Sequence, residues 1–186
     1  MKDLAFIKEM LRRGKGVTDK VKIEFSTMML QQLNWKPAPD KWCIGQCLDH
    51  LIVSDSSYFP VLQKIAEEKY KMTIWERWSP FSGICGRILV HQLQEQVKKK
   101  MKAPRVFLPS AGKTDIGIIE RFHKHQDVLL EYIARCDKVD LDRTYITSPS
   151  IKIVTYSLRS AIKILIQHEC RHINQACRVK LEENFP

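Results

Sequence analysis

The sequence is poor in the residues that make loops, staples and membrane spans. Seven glycines and eight prolines in 186 residues leave few places for the chain to turn, so little of it is expected to be linker. No window approaches the roughly 18 apolar residues of a membrane span. The opening "MKDLAFIKEMLRRGKG" has only a short apolar patch, broken by Lys8 and Glu9, unlike a secretory signal. A cytoplasmic location and no membrane partner are therefore expected. The six cysteines (Cys43, Cys47, Cys85, Cys136, Cys170, Cys177) are expected to be reduced thiols. No alternating strand series, internal repeat or low-complexity run is visible, which leaves sandwiches and solenoids without support.

Charge is not scarce. The formal net charge is +10, and part of it lies in "KKKMKAPR", residues 98–105. The run reads as a helix end passing into a solvated loop, with cations favoured at the C-terminal dipole. Attraction to an acidic small molecule or a nucleic acid is the alternative. The run has no interleaved aromatics, so no stacking platform and no specific nucleic-acid partner are expected. Hydrophobic residues at 44% and charged residues at 28% are ordinary for a soluble globular protein. The length fits one domain over 1–186, with a core that needs no disulfides.

Apolar spacing of 3 and 4 predicts helices near 17–33, 43–70, 84–100, 114–136 and 157–182, with a short helix over 3–13 set off by "GKG". "NWKPAPDKW" and "KAPRVFLPSAGK" are the connectors, and a short β-branched piece, "IKIVTY", leads into the last helix. The fold class expected is all-α, a helical bundle.

The last helix carries the chemistry. Leu158, Ala161, Leu165, His168, His172, Gln175 and Val179 follow one another in steps of 3 and 4, the pattern of a core seam. Two histidines stand where leucine would be cheapest. Imidazoles at i and i+4 can reach one metal ion, which relieves both. Two core histidines bonded separately to other helices are the alternative. "HECRH" also matches H-E-x-x-H of zinc proteases, yet the downstream third ligand is missing: Gln175 and Arg178 stand at the positions of Gly and His. The third ligand must come from another helix, from His50, His91, His123 or His125. His50 lies at the margin of the apolar face Ile44, Cys47, Leu51, Tyr58, Leu62 and Ile65, and helix-face arithmetic favours it. Cys43, Cys47 and His50 share a stripe, so a Cys₂His₂-like structural zinc site is a competitor; Cys170 and Cys177 read as small buried hydrophobes.

Two motifs bring a resemblance. "KWCIGQCLDHL", Lys41 to Leu51, resembles the W-S-I-x-E-x-L-x-H-L opening of the second helix in the DinB-like (DinB/YfiT) metalloenzymes, and "HECRHINQACRV", His168 to Val179, is similar to their H-x-x-x-H-x-x-Q ending. The likeness runs from about Trp35 to Val179. It implies a four-helix bundle with a divalent metal, zinc or nickel, held by His50, His168 and His172 with a position left open to a small-molecule substrate. It implies a metal-dependent enzyme, with a thiol-dependent S-transferase using a low-molecular-weight thiol as the first reading. A metal-dependent hydrolase and a non-catalytic metal- or ligand-binding protein are the others. Family members are often dimers, which admits a homodimer. Glu169 stands where H-E-x-x-H enzymes keep their base; a surface glutamate is the other reading. The sequence departs from the pattern at Cys43 and Gln46, where Ser and Glu are usual, so the cap of the second helix is expected to be weakened by about 1 kcal/mol.

Overall fold

A computed structural model describes residues 3–79, 88, 90, 91, 108, 109 and 112–186. Among them the chain is mostly helical. Helix α1 spans Leu4–Phe25, α2 Leu30–Asn34, α3 Ile44–Ser56, α4 Phe59–Ala66 and α5 Ile74–Trp78. Helix α6 spans Ile118–Arg135 and runs into a 3₁₀ turn at Cys136–Lys138, and α7 spans Leu158–Val179. The helix expected over 84–100 lies outside the described residues, apart from Ile88, Val90 and His91, which are helical. The basic run at 98–105 and Cys85 also lie outside them. No helix among the described residues is long and apolar enough to cross a membrane.

Helices α1, α3, α6 and α7 pack as four. Each of α1 and α3 lies against both α6 and α7, so α1 and α3 stand on one diagonal of the group. The buried positions of α1, Ile7, Met10, Gly14, Val17, Val21 and Phe25, keep steps of 3 and 4 across "GKG", and the helix does not break there. Glycine costs a helix about 1 kcal/mol relative to alanine. Here packing outweighs that, because a Cβ on Gly14 would collide with Leu130 Cδ2 of α6. The helix stops at Phe25 instead of running to 33. A turn through Ser26 and Thr27 drops Met28 into the core before α2 begins.

The helix expected over 43–70 is two helices, α3 and α4. Pro60 explains the break: it has no N–H for the Ser56 carbonyl, and its ring would clash with that carbonyl in a continuous helix. "IKIVTY" forms more structure than a lead-in. Strand β1, Tyr145–Thr147, pairs antiparallel with β2, Thr155–Ser157, in the register Ile146 to Tyr156. Both of these side chains are buried, and the Tyr156 hydroxyl meets that of Tyr58 at 2.7 Å. Ser157 then caps α7 by accepting the Ser160 N–H.

The apolar core divides into two clusters. One is built on Met10, Leu62, Leu129, Ile133, Tyr156 and Leu165, the other on Val17, Phe25, Leu48, Leu51, Phe122 and Ile173. Between them every one of the four helices contributes a buried position that is not apolar: Gly14 on α1, Asp55 on α3, Gln126 on α6 and Glu169 on α7. The bundle has a polar belt at its waist.

The start of α3 is fixed tightly. Asn34 and Thr114 exchange hydrogen bonds, the Asn34 amide donating to the Thr114 carbonyl at 2.8 Å and the Thr114 N–H donating to Asn34 Oδ1 at 2.8 Å. Gly45 lies under this clamp. A Cβ there would strike Thr114 Oγ1 and stand 3.1 Å from the Leu33 carbonyl oxygen. Gly45→Ala should therefore destabilise the fold by about 1–3 kcal/mol despite the gain in helix propensity. Urea unfolding measures this; an unchanged or raised midpoint would show that the clamp yields freely.

Candidate metal centre

Three histidines converge between α3 and α7. His50 comes from α3, and His168 and His172 come from successive turns of α7. One ring nitrogen from each lies within 4.8 Å of the other two. The closest approach is 3.1 Å between His50 Nε2 and His168 Nε2, and the ring centroids are 4.6–5.0 Å apart. Trp42, one residue before the cap of α3, lies against two of the rings, 4.8 Å from His50 and 5.7 Å from His172. The side chains ahead of α3 thus close one side of the histidine group.

The group is deep. His50 is 2% exposed and sits within the packed face of α3, not at its margin as the helix-face arithmetic suggested. Burial pushes the His168 imidazole down to about 4, with the Arg171 charge adding to it. Burial also depresses His172 strongly, and the neighbouring His168, His50 and Arg171 reinforce it. Imidazoles so placed are neutral, which is the form that ligates a metal. His172 Nδ1 is buried without a hydrogen-bond partner. Three imidazoles with converging nitrogens are a donor set that can hold one divalent ion.

The other candidates are elsewhere. His91 is exposed. His123 is half-buried with its ring beside Phe122. His125 is buried but faces Ser56 Oγ at 3.4 Å and stacks on Phe59 at 4.9 Å. Among the described residues, the only group of three or more metal-type side chains is His50, His168 and His172, without a cysteine. Cys43 instead caps α3, its sulfur accepting the Gln46 N–H at 3.4 Å while Gln46 Oε1 accepts the Cys43 N–H at 3.3 Å. Both arms of the expected capping box are made, with sulfur as the weak acceptor. Cys47 is fully buried, and burial raises its thiol far above the ordinary value. Cys170 and Cys177 are half-buried.

Glu169 is not a surface residue. It is fully buried, and its Oε2 accepts from Gln126 Nε2 at 3.0 Å; the same amide donates to the Gly14 carbonyl at 3.3 Å. Asp55 is 1% exposed; its Oδ1 accepts from Ser54 Oγ at 3.0 Å and lies 3.7 Å from His168 Nδ1. Burial raises both carboxyls well above the usual range, and Asp55 adds to the effect at Glu169. One oxygen of each, Asp55 Oδ2 and Glu169 Oε1, has no hydrogen-bond partner. Sequence reasoning missed Asp55 and Gln126. The signal was there: Asp55 follows Leu51 by four, and Gln126 stands between Phe122 and Leu129 in steps of 4 and 3.

A mostly helical fold with a buried three-histidine group narrows the class to helical proteins able to carry a divalent metal. The description "DinB superfamily" matches residues 18–176, and the chain belongs to that superfamily. No curated protein and no solved structure matches the chain significantly.

His125 lends itself to a pH test. Burial holds its imidazole at about 4, below the unfolded value near 6.5. The unfolded chain therefore takes up a proton first as pH falls, and stability is lost between about pH 6.5 and 4, then levels off. The loss from this one residue should be about 3 kcal/mol. His125→Gln should flatten that part of the pH–stability curve. An identical acid limb in denaturant titrations of the variant would refute the assignment.

Proposed function

We propose that the protein binds one divalent cation, zinc or nickel, through His50, His168 and His172, and uses it to act on a small-molecule substrate. The observation that carries this is the convergence of three imidazole nitrogens within 4.8 Å in a chain of the DinB superfamily. When bound, such an ion supplies a Lewis acid that acidifies a water or a thiol in its remaining position.

Within that reading, thiol-dependent S-transfer is preferred to hydrolysis. Arg171 sets a positive charge beside His168 and His172, and Arg178 stands close enough to Arg171 to depress it further. A cationic approach suits an anionic low-molecular-weight thiol. Glu169, next to His168 in the chain, is the proposed proton acceptor; burial raises its carboxyl, which makes its ionised form the stronger base. A second reading rests on depth. His50 and His172 are nearly inaccessible, which would also suit an ion that only braces the bundle. A homodimer in solution remains part of the proposal.

Metal content by elemental analysis after dialysis against a weak chelator tests the site. One ion per chain is expected in the wild type. His50→Ala, His168→Ala and His172→Ala should each lose most of it, while His91→Ala, His123→Ala and Cys170→Ala should retain it. Loss in His123→Ala with full content in His50→Ala would move the third ligand. The reaction is tested by incubating the loaded protein with electrophilic substrates, with and without thiol. Thiol-dependent conjugate formation that disappears in His168→Ala supports transfer. Thiol-independent release of product supports hydrolysis, and no turnover with an intact metal supports the bracing role. Casein should remain uncleaved, because the third histidine comes from a separate helix, not from downstream on α7.

A further inference from the structure

We propose that Asp55 is a positioning residue for the metal group, acting on His168 from the side away from the ion. The proposal rests on the three-histidine reading above.

Begin with the ring. His168 Nε2 is the nitrogen that meets His50 Nε2, at 3.1 Å. The other nitrogen, Nδ1, is turned to Asp55 Oδ1 at 3.7 Å. That distance is longer than a hydrogen bond and within the range of a direct polar contact between an imidazole and a carboxyl. An imidazole ligates through one nitrogen, and the acceptor facing its other N–H decides which nitrogen that is and how the ring is turned. Asp55 is the acceptor that faces Nδ1. It selects the tautomer with the proton on Nδ1 and the lone pair on Nε2, pointed at the other two histidines.

Asp55 has no comparable task in the fold. Its Oδ1 takes the Ser54 hydroxyl, a neighbour on its own helix, and Oδ2 has no partner. No lysine or arginine among the described residues forms an ion pair with it. An apolar residue of similar size in the same place would avoid the cost of desolvating a carboxyl. A residue kept for folding would not be an acid here. One kept for His168 would be, and it would sit one helix away from that ring with an oxygen facing Nδ1. Asp55 does both.

This reasoning separates the two effects of removing it. Asp55→Leu should leave the metal-free protein as stable as the wild type or more so, since a buried unpaired acid has been replaced by a packed apolar side chain. The same change should weaken metal binding by about 10- to 100-fold, the usual effect of losing an outer acceptor on a ligating histidine. Asp55→Asn keeps an acceptor oxygen and should recover part of the affinity.

The experiment measures three quantities on wild type, Asp55→Leu and Asp55→Asn: the metal-free melting temperature, zinc affinity by competition with a chromophoric chelator, and the His168 tautomer by nitrogen-15 NMR of the metal-free protein. Expected are an equal or higher melting temperature, the weakened affinity, and a His168 ring shifted from the Nδ1–H form in Asp55→Leu, with Asp55→Asn intermediate. Unchanged affinity and tautomer in Asp55→Leu, in a wild type that binds zinc, would overturn the role of Asp55 alone. A fall in melting temperature and affinity together, with the tautomer unchanged, would make Asp55 a structural residue and also overturn it. A wild type that binds no zinc would overturn the metal reading itself, and the tautomer of the metal-free protein would still report on the Asp55–His168 pair.

Discussion

The structure turns on a polar belt in the middle of an apolar bundle. Asp55, Gln126 and Glu169 are all out of water, between the two core clusters along their helices. A buried polar group without a partner costs roughly 2–7 kcal/mol, so the belt needs its own internal bonding. Gln126 provides part of it, one amide donating both to Glu169 and to the backbone of α1, while Asp55 takes the Ser54 hydroxyl. That second bond requires α1 to come close, and Gly14 is what lets it. The same glycine that looks like a helix break in the sequence is the point at which α1 closes on the belt.

The histidine group stands beside this belt and inherits its dryness. Burial pushes the His168 and His172 imidazoles down and raises the two carboxyls nearby. Unprotonated imidazoles offer lone pairs to a cation, and a cation's charge would favour ionisation of the acid beside it. The arrangement also makes the position of His50 critical, since its ring must reach two rings on another helix. The capping box of Cys43 and Gln46, the Asn34–Thr114 clamp over Gly45, and Trp42 against the rings all act within two turns of His50. A sulfur cap is weak by itself. With the clamp beside it, the register of α3 does not depend on the cap alone.

Much of this was legible in the sequence, and the exceptions have identifiable causes. The seam of α7 could be read because its histidines fall at the same 3–4 steps as its leucines. The all-α class followed from the same periodicity. His50 could be ranked but not placed: arithmetic on one helix face put it at a margin, and only the neighbouring helices show that the margin is covered. Asp55 escaped because the face of α3 was traced from Leu51 directly to Tyr58, across the gap that Asp55 fills. The break at Pro60 was overlooked inside an otherwise periodic run. The hairpin of Ile146 and Tyr156 was too short for alternation to register, since three residues give one and a half periods.

The fate of "HECRH" shows how little a motif settles without the surface it faces. On any helix the glutamate of H-E-x-x-H lies about 100° round from the first histidine and three residues before the second. In an open cleft that places it against solvent. Here α6 crosses the same position, and Glu169 meets Gln126 in place of water. The local spacing is identical, and the dielectric around the acid is not. Burial, not the motif, raises its carboxyl and leaves Oε1 without a partner. Two histidines and a glutamate at fixed spacing therefore define a geometry for holding an ion; the helices packed against them decide what else can enter, and so which reactions that geometry can serve.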